Sequence, residues 1–194
     1  MNHQSIRIIH DEHSSLSSLL ASVAMLMRRG PRDNPEKFFD SLRAMLFYVD
    51  EFPERLHHPK ESQYLFPLVA LRAPFTRELI ERLEDDHNKG EAAIRELQHL
   101  LLAWELLGDS RREAFEIAFN QYLIFYLEHM RLEETVIIPA ALNVLRQKDW
   151  DFLDQAFAGN RDPLSEPFSK DPLYEKLFTR IVMRTPAPIG LGDD

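Results

Sequence analysis

His57-His58-Pro59-Lys60-Glu61-Ser62-Gln63-Tyr64-Leu65-Phe66-Pro67 is followed, 72 residues on, by His129-Met130-Arg131-Leu132-Glu133-Glu134-Thr135-Val136-Ile137-Ile138-Pro139. Both stretches read His-x-x-x-Glu, then two apolar residues, then proline. Upstream of each lies an acid-flanked histidine, Asp11-Glu12-His13 and Asp85-Asp86-His87. Self-similarity at a fixed offset is a fold-level signal, and the repeated residues are metal-ligand types. Four histidines and two glutamates in matched halves point to a two-metal site built by a duplicated helix pair.

The spacing explains how. In an α-helix, residues four apart stand one turn above each other on one face, so each His-x-x-x-Glu presents an imidazole and a carboxylate together. Apolar periodicity is helical almost throughout. Residues 4–29 form helix one, with Ile9, Leu16, Leu19, Leu20, Val23 and Leu26 as its stripe. A Gly/Pro/Asn loop leads to helix two, about 36–72, which carries Pro53, Pro59 and Pro67. Helix three covers about 74–107 and helix four about 110–147, with Pro67 and Pro139 read as helix stops. From His87 up helix three and back down helix four to His129, the climbs are ~30 and ~27 Å at ~1.5 Å per residue. A short turn therefore returns the two histidines to one level. In the first half the climbs differ by one or two turns, a mismatch assigned to proline kinks or the longer loop.

The resulting fold class is all-α: a four-helix bundle over residues 1–148, built from two helix-pair repeats, with inward ligands from every helix. Residues 149–194 form a C-terminal extension with one short helix at 172–184, loop-like over 160–171 and frayed after 186. The extension either covers one end of the bundle or makes a homodimer contact. Phe47, Trp104, Phe115, Phe119 and Phe125 fall at helical spacing and are read as core.

Composition narrows the chemistry. Among 194 residues there is no cysteine, which excludes disulfides, thiolate zinc sites and iron–sulfur clusters. Any metal is held by nitrogen and oxygen. A net charge of −9 without a Lys/Arg cluster argues against nucleic acid and against a polybasic membrane anchor. No signal peptide or membrane span is read, and the cytoplasm is the expected compartment.

The candidate ligands are His13, His57, Glu61, His87, His129 and Glu133. Imidazole with carboxylate tilts the choice toward iron or manganese. Six ligands shared by two octahedral ions leave open positions for water or a small diatomic. Asp11, Glu12, Asp85, Asp86 and Glu134 stand beside the ligands, placed to hydrogen-bond their ring N–H groups. His10, His58 and Glu91 are further inward candidates, whereas His3 and His99 have no counterpart in the repeat and are read as surface residues. Glu54/His57 and Glu84/His87 have the Glu-x-x-His spacing of ferritin-like bundles, but Tyr126 occupies that place before His129, so the ferritin-like reading loses.

These residues resemble the haemerythrin-like, or HHE cation-binding, family over about residues 6–147. The resemblance implies an up-down-up-down bundle around two iron ions joined by an oxo or hydroxo bridge, with both glutamates spanning the pair. The four-histidine, two-glutamate set is most similar to the bacterial repair-of-iron-centres branch, which often adds a cysteine-bearing N-terminal segment absent here. The oxygen carriers instead have five histidines, one of them where this chain has Glu91. The expected function is binding of, or reaction with, O₂, NO or peroxide in sensing, scavenging or stress response. The alternatives are an iron store or donor for damaged iron centres, a peroxidase or NO reductase, and a structural module. No dedicated acid–base group accompanies the ligands, which weighs against an enzyme.

Overall fold

Prolines within a helix remove backbone donors, and how the chain absorbs that loss determines where the histidines point. A computed structural model describes residues 3–32, 34–160, 164 and 175–184. Helix α1 is Gln4–Arg29, its predicted stripe fully buried. It ends at Gly30, whose φ of 68° suits glycine and whose N–H donates to the Leu26 carbonyl at 2.9 Å. The Asn34 side chain accepts from the Lys37 N–H, with Pro35 in the first turn, an arrangement that nucleates a helix cleanly.

Helix α2 (35–72) is continuous but not uniform. It is α-helical over Pro35–Val49, π-helical over Asp50–His57, α-helical over His58–Lys60, π-helical again over Glu61–Leu65 and α-helical over Phe66–Arg72. Helix α3 (74–107) opens with a 3₁₀ turn at Pro74–Thr76 and ends at Gly108, φ 84°. Helix α4 (109–144) is α-helical over Arg112–Leu132, π-helical over Glu133–Ile137 and α-helical over Ile138–Val144.

Pro67 and Pro139 are therefore not stops. Each sits in the first turn of a fresh α-helical segment, where a missing N–H costs nothing. The wide turn before it bonds Phe66 N–H to Glu61 and Ile138 N–H to Glu133. The repeat thus extends to backbone geometry, with a π-turn starting at the ligand glutamate in both halves. Widened turns are common at functional sites because they re-aim side chains. The turn at Asp50–His57 also packs more residues into each turn, which shortens the climb to His57 and takes up part of the height mismatch of the first half.

Helices α1 to α4 pack in a ring, each on the next and α4 back on α1. Two further helices follow among the described residues, α5 (Gln147–Phe157) and α6 (Glu175–Arg184). Helix α5 lies inside what the periodicity assigned to the end of helix four and the start of the extension. The Leu145 backbone is extended, and the Arg146 N–H donates to Asp149 Oδ2 at 2.8 Å, so helix four ends at Val144 and a second helix stands in the extension that was expected to hold one. The Asp149 carboxylate also takes Arg72 Nη2 at 2.7 Å, fixing α5 to the end of α2. The tail after 186 and most of the 160–171 loop lie outside the described residues. No helix among the described residues is long and apolar enough to cross a membrane.

The core falls into two apolar clusters. One contains Leu16, Leu20, Leu42, Met45, Trp104, Phe115 and Phe119, joined by Ile181 of α6. The other contains Ile9, Leu65, Phe66, Val69, Leu83, Ile137 and, from α5, Trp150, Leu153 and Phe157. The ligand candidates lie in sequence between the members of these two clusters on all four helices. Phe47 departs from expectation, being 47% exposed, and so does His3, which stacks on Trp150 at 4.0 Å between ring centroids.

Burial sets the expected costs. Leu153→Ala empties a fully buried site under α5 and should destabilise the protein by about 2–5 kcal/mol. Leu106→Ala, at a side chain 71% exposed, should stay within about 0.5 kcal/mol. Chemical denaturation of both variants checks the pair.

Candidate metal centre

All six ligand candidates reach the middle of the bundle. His13 comes from α1, His57 and Glu61 from α2, His87 from α3, and His129 and Glu133 from α4, none more than 9% exposed. The imidazoles meet in pairs through their inner nitrogens: His13 Nε2 lies 3.2 Å from His57 Nε2, and His87 Nε2 lies 3.1 Å from His129 Nε2. The glutamates lie between the pairs. Glu61 Oε2 is 3.3 Å from His57 Nε2 and 3.6 Å from His87 Nε2. Glu133 reaches His13 at 3.3 Å, His129 at 3.2 Å and His87 at 3.8 Å.

Two overlapping donor groups result: His13, His57, Glu61 and Glu133, and His58, Glu61, His87 and His129. Within each, one ligand atom per residue lies within 4.8 Å of the others. Glu61 belongs to both. His58, which the repeat did not single out, is in the second group and only 3% exposed.

The outer ring nitrogens are held from behind. His13 Nδ1 donates to Glu134 Oε1 at 2.9 Å, His57 Nδ1 to Glu12 Oε2 at 2.7 Å, and His58 Nδ1 to Glu54 Oε2 at 3.1 Å. His87 Nδ1 pairs with Ser62 Oγ at 3.0 Å. His129 Nδ1 has only Asp86, at 3.8 Å. Glu12 is in turn fixed by Asn160 Nδ2 at 3.0 Å. Of the acids expected behind the ligands, Glu12 and Glu134 serve. Asp11 is exposed, and Asp85 turns outward to Lys89. Glu54, noted in sequence for its spacing to His57, bonds His58 instead, while Ser62 and Asn160 carry no sequence signal, because their roles depend on which neighbour the fold supplies. His10 is half-exposed, Glu91 pairs with Arg95 on the outer face, and His99 is exposed, so none of these three turns inward.

A cation fits this cage. Both carboxylate oxygens of Glu61 and of Glu133 are fully buried without a hydrogen bond. Buried carboxylates lacking donors are costly unless a positive charge replaces the water they lost. Burial and the nearby Glu133 push the Glu61 carboxyl well above its ordinary range. Burial acts the same way on Glu133, but His129, His13 and His87 outweigh it and hold Glu133 well below. Burial would lower His13, yet the Glu133 and Glu134 carboxylates beside it carry it up to about 9. Burial drives His58 well below its ordinary value, with His87 and His57 adding to the effect, so it is neutral.

Beside His13, His57 and His58 is a small pocket of about 10 Å³, walled by Phe52, Leu56 and Met130. It has room for roughly one water-sized molecule.

The family model of the Hemerythrin HHE cation binding domain matches residues 4–141. The chain belongs to that family. No curated protein matches it. Family membership and the two His/Glu groups make it a metal-binding helical protein.

Protonation gives a signed expectation. At pH 7, His13 carries a proton that must leave before its nitrogen can bind a metal. Affinity for a divalent cation should therefore rise as pH goes from 7 toward 9, by about tenfold per unit where one proton is displaced, and should level off above. Competition titrations with zinc across that range measure it. Weakening the support behind one ring, as in Glu12→Gln, should lower the affinity about 10–100-fold and leave the helix content unchanged by circular dichroism.

Proposed function

We propose that this protein holds two iron ions through His13, His57, Glu61, His87, His129 and Glu133, and that it binds or reacts with O₂, NO or peroxide. Two donor groups sharing Glu61 carry the reading, because a shared carboxylate is how two cations are kept side by side. The all-nitrogen-and-oxygen donor set suits iron. Bound there, iron supplies the redox chemistry and the open coordination that small oxidants need.

The protein's own residues do the rest. Glu12, Glu134 and Ser62 fix the ring orientations. Two apolar clusters exclude water from either side, and the pocket by His13 and His57 admits only a small molecule. A sensor, scavenger or stress-response role follows more directly than turnover.

The iron-donor reading is less well supported. A donor must release its metal readily, whereas these ligands are 0–9% exposed and enclosed by four helices. Elemental mass spectrometry of protein from iron-supplemented cells should find about two irons per chain, and O₂, NO or azide should change its visible spectrum. An unresponsive spectrum at full iron loading overturns the gas-binding role. Glu133→Ala and His129→Ala should lose metal and thermal stability together, whereas His99→Ala should lose neither.

A further inference from the structure

Two counterpart pairs of the 72-residue repeat differ in chemistry and meet inside the bundle. Where the first half has Glu54 and His58, the second has Tyr126 and Met130. Tyr126 donates its hydroxyl to Glu54 Oε1, and Tyr122 donates to the same oxygen at 3.2 Å. The other oxygen, Glu54 Oε2, accepts His58 Nδ1–H at 3.1 Å. All four side chains are buried. Gly90 makes room for them: a Cβ there would lie 2.5 Å from the Tyr126 hydroxyl and 3.0 Å from Glu54 Oε1.

We propose that His58 is a fifth imidazole ligand, with Glu54, held by Tyr122 and Tyr126, as its positioning residue. The inference rests on the two-metal reading above. Its basis is that His58 repeats the arrangement of the other inward histidines. Its Nδ1–H is tied to an acceptor from behind, as in His13 and His57, which leaves Nε2 free. A ring nitrogen of His58 lies within 4.8 Å of donors from Glu61, His87 and His129. Tying Nδ1 fixes the tautomer whose other nitrogen binds a metal.

The consequence is an unsymmetrical centre. One position has three imidazoles, His58, His87 and His129, and the other has two, His13 and His57. Met130, the counterpart of His58, is no substitute ligand in that role; it walls the pocket beside the two-histidine position. The divergence of one repeat position thus gives the two positions unlike donor sets, and His13, His57 and His58 all line the pocket.

Cobalt(II) tests this without reference to activity. In the Co(II)-loaded full chain, every ligating imidazole with a ring N–H gives a proton resonance shifted far outside the ordinary range and lost in D₂O. The proposal expects five such resonances from the wild-type protein, four from His58→Gln and five from His99→Ala. Glu54→Gln and Tyr126→Phe should keep five and displace one, the resonance missing in His58→Gln. A loosened fold would instead move all of them. Four resonances in the wild type, or five in His58→Gln, overturns the proposal. The wild-type count stands even if a variant does not fold. Failure of the chain to bind about two Co(II) at all, or binding unaffected by Glu61→Gln, overturns instead the two-metal reading beneath it.

Discussion

Two buried glutamates whose four oxygens meet no hydrogen-bond donor are the constraint on which the rest of this structure depends. A carboxylate removed from water without compensation costs several kcal/mol even after relaxation. Here two are removed side by side, at 0 and 1% exposure, in the middle of a helical bundle. The chain's own compensation is partial: His13 keeps a proton to about pH 9, and Glu61 keeps its own above the usual range. Divalent cations held between the two donor groups would do the same work more completely, because each would take inward nitrogens and a buried carboxylate together. The carboxylate layer is therefore a fault in the apolar core that a bound cation would turn into an asset. The two clusters above and below it bear the cost of keeping it dry.

The backbone is bent to serve that layer. A uniform α-helix from 35 to 72 would carry successive side chains around the rod at fixed steps, and Pro53, Pro59 and Pro67 would each break it. The structure resolves both problems together by widening the turns where donors are missing. Glu61 and Glu133 stand at the first residue of matching π-turns, and His57 and His58, adjacent in sequence, both turn inward beside another. Metal geometry and proline placement are thus one feature of the fold rather than two.

Much of this was legible from residue types and offsets. The bundle, the helix ends at Gly30 and Gly108, and the convergence of six residues from four helices follow from periodicity and from a repeat of ligand-type residues. What was not legible depends on backbone detail. The prolines of helix two were read as kinks, and Pro67 and Pro139 also as stops, because a missing donor breaks an α-helix, yet a π-turn accommodates the same loss. Helix α5 was missed because the pattern of helix four ends near 147 and the extension was given only the short helix at 172–184, whereas Trp150, Leu153 and Phe157 form a brief apolar stripe of their own. His3 looked like a surface residue because nothing near it in sequence announces Trp150, which covers it from 147 residues away.

The pseudo-twofold repeat sharpens what the departures mean. In a duplicated bundle, counterpart positions start equivalent, so a difference between them marks where the halves took separate roles. Glu54 and Tyr126 are counterparts that bond to each other across the interior; neither could satisfy its own copy as well, since two buried carboxylates repel and two phenols would leave His58 without its carboxylate acceptor. His58 and Met130 are counterparts that split along the same line, one polar and tied to Glu54, the other apolar and walling the pocket. One asymmetry supports the other: the tyrosine that replaces a glutamate is the group that holds the remaining glutamate onto the extra histidine. A symmetric ancestor would have had two like metal positions. This chain instead places a histidine at one counterpart position and a methionine at the other, both on the wall of the same small pocket.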